Sequence, residues 1–429
     1  MRINLIHPSQ SNVIDDRLDP PLGLLSIASN LIQNGYTDVK ITDLSGVDES
    51  CWIIEEADIY GITVYSPSLN TVLKIASVCK RVNKKSIVVC GGIHATILPD
   101  TLLSNINVDC VVKGFGEYAL IDVIKDYPYV KKIYVGVVGD INALPYPNRD
   151  LVDLSSYSRV VDDRPSFNMQ TARGCPFSCN FCSEHVLTKK VLLRSPESIQ
   201  SELSYIRTRY GGKALFIYDD IFTINKSRLV TIENIFRDNG VVFDFHLRAD
   251  SVSAPECAIL YASGGKIARV GIESFSNDIL ILMNKKTTRE QNVDAIKMIN
   301  DSGLTSRVFI IFGFPGETER TVDETIKGIE IANPDQIFLS TFVPFPGTKV
   351  WDDPDSFGIT SVDKDYTKYS FVSDKGKGNI VFDTKWGNRE SMLVLQEKIY
   401  SYVYSRPFRG KTQKYHRDLL KNMTNIKGS

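Results

Sequence analysis

Short apolar runs alternate with helix-length amphipathic segments in two stretches of this chain, which a turn-rich interval separates. Strand-then-helix repetition at this spacing is typical of α/β domains with parallel sheets. In residues 1–135 it predicts a doubly wound parallel sheet, with a first helix that ends before Gly35 because glycine favours helix termination. The predicted strands of this sheet cover residues 2–6, 39–44, 59–64, 86–90 and 108–112.

The second stretch, residues 168–350, predicts a partial (β/α)6 barrel in which parallel strands alternate with helices. Residues 136–167 are interpreted as a linker because turn-forming residues such as Pro145 and Pro147 are frequent there. Residues 351–429 predict a small α-rich extension that caps the active site, with a helix over 389–404. The predicted barrel strands cover residues 168–172, 214–218, 242–247, 267–272, 308–312 and 337–342.

The charge balance and the apolar pattern argue against two kinds of partner. With a formal net charge of −1 over 429 residues, the chain has no general attraction for nucleic acid or anionic membranes. No apolar run approaches the roughly 20 residues that span a bilayer, and the N-terminus lacks a secretory signal. The eight cysteines do not form a disulfide framework. We therefore expect a cytoplasmic protein, and we do not interpret the basic tail, residues 406–427, as a nucleic-acid site.

Cys175, Cys179 and Cys182 form a compact CxxxCxxC run directly after the first predicted barrel strand. Structural zinc sites close with four ligands, usually in two separated pairs, whereas three thiolates suit a [4Fe–4S] cluster that leaves one iron open. An open iron can bind a small molecule, so such a cluster can be catalytic. The alternatives are an electron-transfer cluster, or a zinc site with His185 as its fourth ligand. Neither alternative explains the polar residues at the other strand ends.

Polar residues or a glycine follow four more of the predicted barrel strands: Asp219 and Asp220, Arg248, Glu273, and Gly313. The carboxyl ends of barrel strands meet at one mouth, so a single site is expected there. Burying a carboxylate without a partner is costly, which favours a functional role for Glu273. The two aspartates are also consistent with a helix N-cap and its solvated neighbour, and Arg248 with an ion pair to the carboxylate two residues later.

The loops after the predicted N-terminal strands contain residues that suit a large flat ligand. Ligands of doubly wound sheets bind beyond the carboxyl ends of the strands, and paired glycines allow the backbone to approach them closely. Glycines that merely end strands explain the same composition equally well. His94 is interpreted as a hydrogen-bonding loop residue rather than a metal ligand, because it has no partner ligand close in sequence, and so is His7. The loop residues concerned are Thr63, Ser66, Gly91, Gly92, His94, Gly114 and Glu117.

With these features the chain resembles the radical S-adenosylmethionine (SAM) superfamily, in particular its members with an N-terminal cobalamin-binding domain. The resemblance covers about residues 1–350, and Arg-Gly-Cys-Pro-Phe-Ser-Cys-Asn-Phe-Cys is its most specific segment. The Asp-x-His-x-x-Gly motif, which supplies a histidine ligand to cobalt in other cobalamin proteins, is absent. Cobalamin is therefore implied by general similarity of the domain. Further similar segments lie at 21–25, 91–96, 114–117, 216–220, 270–274, 311–318 and 344–348.

The resemblance implies three cofactors: a [4Fe–4S] cluster, SAM and cobalamin. It implies that the three clustered cysteines hold the cluster and are catalytic, and that the N-terminal loop residues given above bind cobalamin. The residues implied in SAM binding are Tyr218, Asp219, Asp220, Arg248, Glu273, Ile311 and Gly313.

The function implied by the resemblance is methylation of an unactivated carbon, with methylcobalamin and a 5′-deoxyadenosyl radical as the reactive species. One alternative is a cobalamin-dependent radical enzyme that rearranges, cyclises or oxidises its substrate without methyl transfer. Another is a radical SAM enzyme that has lost cobalamin. The expected partners are a small-molecule or peptide substrate and an electron donor such as flavodoxin or ferredoxin.

Overall fold

Contacts within the chain divide the computed structural model into two units. The first consists of residues 1–159 with the segments 186–188 and 365–369, and the second contains the other described residues. The boundary between the two units after Arg159 therefore falls within residues 136–167, the predicted linker. Most of the predicted basic tail, from residue 407 onward, lies outside the described residues. The described residues are 1–10, 15–137, 139–188, 190–372 and 377–406.

The first unit is built on a parallel sheet, and this confirms the doubly wound arrangement expected from the sequence. In the described residues its strands are β1 (Ile3–His7), β2 (Val39–Asp43), β3 (Ile59–Thr63), β4 (Ile87–Gly91), β5 (Cys110–Gly114) and β6 (Ile133–Gly136). Their order across the sheet is β2-β1-β3-β4-β5-β6. The order reverses between β1 and β3, which is the topological switch point at which such sheets bind ligands.

The sequence pattern does not predict the edge strand β6. It has four residues, and its aliphatic side chains Ile133 and Val135 are exposed, whereas its buried face carries only Tyr134 and a glycine. Its last residue, Gly136, pairs with Gly114 at the end of β5. A Cβ on Gly136 would lie 1.7 Å from the carbonyl oxygen of Phe115, so this close pairing depends on glycine.

Helices cover both faces of this sheet, because alternate strand residues are buried on opposite sides. Leu5 packs in one apolar cluster with Leu31 and Leu120, and Ile6 packs in the other with Ile75. The first helix ends before Gly35, as predicted, and Gly35 has φ +90. In the described residues these helices are α1 (Leu22–Gln33), α2 (Leu69–Val82), α3 (Ile93–Ile97), α4 (Pro99–Leu103) and α5 (Gly116–Lys125).

The second unit contains a parallel sheet whose strands follow one another in chain order, as expected for a partial barrel. All six barrel strands predicted from the sequence are present, with bounds that differ by a few residues. The described strands are β7 (Phe167–Met169), β8 (Ala214–Ile217), β9 (Val242–Arg248), β10 (Gly265–Glu273), β11 (Thr305–Phe312) and β12 (Gln336–Thr341).

The two faces of the barrel strands differ in chemistry. Phe243 and Phe245 of β9 belong to the apolar core that the barrel shares with its helices. Between them, Asp244 accepts a hydrogen bond from Arg269 of β10 over 3.0 Å, and both side chains are buried. Burial of each large apolar side chain stabilises the fold by about 1.5–3 kcal/mol, so the outer face holds the barrel together. The inner face carries polar groups together with aromatic rings such as Phe216, whose ring centre lies 4.7 Å from the Arg269 guanidinium.

Helices connect the barrel strands, and a further helix packs against the barrel core. The predicted apolar stripe at 389–404 is confirmed as core packing, because Met392, Ile399 and Val403 join the barrel core. Residues Ile359–Val362 and Phe382–Thr384 form a short antiparallel ribbon that was not predicted. The described helices are α6 (Pro196–Tyr210), α7 (Lys226–Asp238), α8 (Ala254–Ala262), α9 (Asn277–Leu282), α10 (Arg289–Asp301), α11 (Glu319–Ala332), α12 (Lys349–Asp352) and α13 (Arg389–Ser405).

Over the described residues, none of the helices combines the length and the apolar character that crossing a membrane requires.

Candidate active site

The cysteine run forms a loop that is tied to the segment after α9. The backbone N–H of Asn180 donates a hydrogen bond to the carbonyl oxygen of Met283 over 2.9 Å, and its side-chain amide donates to that of Leu282 over 2.8 Å. Asn284 in turn donates to the carbonyl oxygen of Ser178 over 2.7 Å. These bonds fix the loop at its middle, between residues more than 100 positions apart in sequence.

The thiols of this loop form no disulfide and differ in burial. Cys179 is buried, and Cys175 and Cys182 are half-buried. Burial raises the pKa of Cys182 to about 12, and Cys182 Sγ accepts a hydrogen bond from the backbone N–H of Glu184 over 3.4 Å. Binding of a metal would release the thiol protons, because only the thiolate is a ligand.

The part of the chain that the structure describes contains no group of three or more histidine, cysteine or carboxylate side chains arranged to hold one metal ion. A [4Fe–4S] cluster does not require such an arrangement, because each thiolate binds a different iron atom.

Arg248, the last residue of β9, contacts the cysteine loop. Its Nη1 donates to Cys179 Sγ over 3.8 Å, and its guanidinium lies 3.7 Å from the centre of the Phe177 ring. Nε and Nη2 donate to the two carboxylate oxygens of Asp250 over 2.9 and 3.0 Å. The ion pair with Asp250 that the sequence predicted as an alternative is therefore present. It does not use Nη1, which donates to the Cys179 sulfur.

Glu273 ends β10 in a strained conformation and is paired with a lysine. Its φ is +67, next to a register shift between β10 and β11. Lys285 Nζ donates to Glu273 Oε1 over 2.8 Å, and both side chains are buried. The carbonyl oxygen of Lys285 accepts from Arg248 Nη2 over 2.6 Å. Lys285 thus links two strand ends, and sequence reasoning missed it; the signal was a buried carboxylate that needed a partner.

The two aspartates after β8 contact the start of the cysteine loop. Asp219 is buried and accepts hydrogen bonds from the backbone N–H groups of Thr171 and Ala172 over 2.5 and 2.9 Å, and from the Thr171 hydroxyl. Asp220 accepts from the backbone N–H of Gly174 over 3.1 Å. Burial raises the pKa of Asp219 to about 6 and that of Asp220 above its ordinary value. The preceding Tyr218 is partly exposed.

Ile311 and Gly313 lie at the end of β11. Ile311 is half-buried and pairs with Ser340 of β12, and Gly313 has φ +82. The backbone N–H of Gly313 donates to Glu317 Oε2 over 3.3 Å, and burial raises the pKa of Glu317 to about 7. The described contacts therefore bring together the ends of β8, β9 and β10 around the cysteine loop. They do not join Ile311 or Gly313 to that loop.

In the first unit, His94 is held by hydrogen bonds on both ring nitrogens. Nδ1 lies 2.9 Å from Ser66 Oγ, and Nε2 lies 2.9 Å from Thr101 Oγ1. The ring meets that of Tyr366 edge-on at 5.5 Å. Burial lowers the pKa of His94 to about 4, so the ring is neutral at physiological pH. These contacts agree with a hydrogen-bonding role rather than one as a metal ligand.

The loops after β3, β4 and β5 pack closely against one another. Gly92 has φ +98, and a Cβ there would lie 3.1 Å from Thr63 Oγ1. Gly91 ends β4, and its carbonyl oxygen accepts from the backbone N–H of Val64 over 2.8 Å. Gly114 ends β5 with φ +82. Since β4 and β5 both end in glycine, no side chain projects from these two strand ends, and a ligand can approach their backbone closely.

Glu117 and His7 also lie at this edge of the sheet. Glu117 is buried in α5, and its Oε1 accepts a hydrogen bond from Ser26 of α1 over 3.1 Å. His7, the last residue of β1, has no hydrogen-bond partner for its buried Nδ1 among the described residues, and burial lowers its pKa. An unsatisfied buried polar atom at the switch point is consistent with a site for a polar ligand.

Comparison with known proteins agrees with both units. The model of the radical SAM superfamily matches residues 169–329, and the model of the B12 binding domain matches residues 19–124. The chain is similar to an uncharacterized methyltransferase of Pyrococcus horikoshii, with 28% identity over 95% of this chain and 93% of the relative. It is also similar to an anaerobic magnesium-protoporphyrin IX monomethyl ester cyclase of Rubrivivax gelatinosus, with 26% identity over 87% of this chain and 73% of the relative.

Among solved structures, the fold resembles that of TsrM from Kitasatospora setae, a radical SAM methyltransferase with cobalamin and a [4Fe–4S] cluster bound. The TM-score is 0.67 at 15% identity, and the match covers 99% of each chain. At this identity the likeness shows a shared fold. The two matching models confirm the family expected from the motifs: the chain contains a radical SAM domain over residues 169–329 and a B12-binding domain over residues 19–124.

Proposed function

We propose that this protein is a cobalamin-dependent radical SAM methyltransferase that methylates an unactivated carbon of a small molecule. The observation that carries the proposal is the cysteine loop, which contacts Asp220 after β8, Arg248 at the end of β9 and Asn284 after α9. When bound, the cluster supplies the electron that cleaves SAM to a carbon-centred radical, and cobalamin supplies the methyl group.

The chain's own residues hold the cluster and shape its surroundings. Cys175, Cys179 and Cys182 would bind three irons and leave the fourth open. The backbone N–H of Glu184 and the guanidinium of Arg248 donate to two of the sulfurs, and such bonds stabilise thiolates. The CxxxCxxC spacing supplies three sulfurs from one loop, and the bonds to residues 282–284 keep that loop in place.

Around the open iron, the strand ends would hold SAM. Glu273, Asp220 and Tyr218 carry the polar groups, and Ile311 and Gly313 offer backbone atoms at the next strand end. The carboxylate of Asp219 already accepts hydrogen bonds from the backbone N–H groups of Thr171 and Ala172. We therefore assign Asp219 a positioning role for the start of the cysteine loop. Lys285 neutralises the charge of Glu273 and keeps it from being buried alone.

In the first unit, Gly91, Gly92 and Gly114 would form the surface under the corrin ring, with Thr63, Ser66 and Glu117 beside it. His94 would act through its hydrogen bonds, which fix the loops after β3 and β4. The absent Asp-x-His-x-x-Gly motif means that the chain offers no histidine from that motif to cobalt.

Methyl transfer is the preferred reaction because the Pyrococcus horikoshii relative, which matches nearly the full length, is named a methyltransferase. A second candidate is cyclisation or another radical reaction without methyl transfer, which the similarity to the Rubrivivax gelatinosus cyclase favours. For the reductant we propose a one-electron donor such as flavodoxin or ferredoxin. The unpaired thiols suit a reducing compartment such as the cytoplasm.

The test begins with anaerobic purification and reconstitution with iron, sulfide and hydroxocobalamin. We expect about four irons per chain, together with stoichiometric cobalt. Reduction in the presence of SAM labelled on its methyl group should yield 5′-deoxyadenosine and label on the bound cobalamin. Cys182→Ala should lose the iron, and the exposed Cys51→Ala should keep it as a matched control. Iron and cobalt without labelled cobalamin would favour the second candidate, and zinc in place of iron would overturn both.

A further inference from the structure

Arg248 is buried at the end of β9, with 4% of its surface exposed, and every part of its guanidinium has a defined contact. Nε and Nη2 each donate a hydrogen bond to the carboxylate of Asp250. Nη2 donates a second hydrogen bond to the carbonyl oxygen of Lys285. The remaining nitrogen, Nη1, donates to Cys179 Sγ over 3.8 Å. The face of the guanidinium lies against the Phe177 ring at 3.7 Å.

This arrangement exceeds what a structural ion pair needs. The fork to Asp250 uses only Nε and Nη2, and it would hold the arginine in place by itself. The fork instead orients the plane of the guanidinium so that Nη1 faces a thiol of the cysteine loop. A lysine would place a single point charge there and would lose the fork, the stacking and the fixed direction.

We propose that Arg248 sets the reduction potential of the cluster held by the cysteine loop; this inference rests on the proposed function. One-electron reduction adds a negative charge to the cluster and its thiolates. A positive charge and an N–H donor on Cys179 Sγ stabilise the reduced state more than the oxidised one, so they raise the potential. The electron comes from an external one-electron reductant, and no proton moves at Arg248, because its guanidinium stays protonated.

Asp250 has the opposite influence. Its carboxylate partly cancels the guanidinium charge, and it is more exposed than Arg248. The potential therefore depends on the balance of the pair, with arginine raising it and aspartate lowering it. This gives the two residues effects of opposite sign, which a role in holding the loop alone would not produce, since loss of either partner would then loosen the same loop.

The experiment is an electrochemical titration of the reconstituted enzyme, with the reduced cluster followed by electron paramagnetic resonance. Arg248→Gln should shift the midpoint to more negative values, and Asp250→Asn should shift it to more positive values. Arg320→Gln is the matched control, because it removes an exposed arginine–aspartate pair of the same unit and should leave the midpoint unchanged. Iron content is measured first for every variant.

The iron content separates the two proposals. A wild-type protein that does not assemble the cluster contradicts the proposed function. With clusters assembled, unchanged midpoints in Arg248→Gln and Asp250→Asn overturn the inference, as does a shift of both in the same direction. If Arg248→Gln loses its iron, Arg248→Lys and Asp250→Asn provide the test. The midpoint of the lysine variant should shift to more negative values and that of the asparagine variant to more positive values. Absence of the positive shift overturns the inference.

Discussion

Lys285 Nζ lies 2.8 Å from Glu273 Oε1, and this buried ion pair lies directly over a glycine. A Cβ on Gly271 would lie 2.6 Å from Glu273 Oε1 and 3.0 Å from Lys285 Nζ, so only glycine leaves room for the pair. Glu273 has φ +67, a conformation that costs a non-glycine residue on the order of 1–3 kcal/mol. Such strain persists where surrounding contacts hold the residue, and here the lysine and the register shift of β10 do so.

Breaking this pair from the lysine side should destabilise the second unit strongly. Lys285→Met leaves Glu273 charged, buried and strained, and loss of one partner of a buried pair typically costs about 3–5 kcal/mol. We expect the urea midpoint of the second unit to fall accordingly, as measured by circular dichroism. Adding Glu273→Gln should recover part of the loss. Arg320→Met, which breaks surface pairs with Asp278 and Glu324, should cost about 1 kcal/mol or less. Equal losses of stability in Lys285→Met and Arg320→Met would contradict the interpretation that the buried pair stabilises the second unit.

Gly114→Ala should destabilise the first unit by about 1–3 kcal/mol. Gly114 has φ +82, and a Cβ there would lie 2.4 Å from the carbonyl oxygen of Gly136, so β5 and β6 would have to separate. The control is Gly23→Ala in α1, where the added Cβ meets nothing within 4 Å. Alanine is the better helix former, so this variant should be neutral or stabilising by up to about 1 kcal/mol. Thermal unfolding of both variants measures the difference, and a neutral Gly114→Ala would show that the strand ends can adjust.

Glu317 should make the second unit less stable as the pH rises. Burial raises the pKa of Glu317 from its ordinary 4.5 to about 7. Between these values the folded protein keeps a proton that the unfolded chain releases, so the free energy of unfolding falls by up to about 1.4 kcal/mol per pH unit. Glu317→Gln should reduce this slope in urea titrations between about pH 5 and about pH 7. Burial also raises the pKa of Glu233 to about 7, so the slope should shrink rather than vanish. An unaltered slope would exclude Glu317 as its source.

His94 should have the opposite effect on the first unit. Burial lowers its pKa from 6.5 to about 4, so within this range the unfolded chain binds a proton that the folded protein does not. The first unit should therefore lose stability as the pH falls through this window. His94→Gln can keep hydrogen bonds to Ser66 and Thr101 while removing the titration. We expect a weaker acid dependence of its unfolding, with a remainder from His7, whose pKa burial also lowers. The same acid dependence in the variant would contradict the assignment.

The fold class could be anticipated because its signals are local. Strands of a parallel sheet are marked by short apolar runs, and all six barrel strands were recognised from such runs. The cysteine triplet needs no fold to be recognised, because CxxxCxxC places its three thiols within eight residues. The edge strand β6 was missed for the converse reason: its aliphatic residues Ile133 and Val135 are exposed, and Tyr134 is the one large side chain on its buried face.

The partners of the site residues could not be read from the chain, since they depend on which strand ends the barrel brings together. Arg248 lies 69 positions from Cys179, and Lys285 lies 12 positions from Glu273 across a helix. A charged residue that is expected to be buried predicts that a partner exists, but the partner's identity depends on tertiary packing. The local periodicity of the sequence therefore indicated the sheets, and the cysteine spacing indicated the loop proposed to hold the cluster, whereas the folded barrel selected the charges that surround that loop.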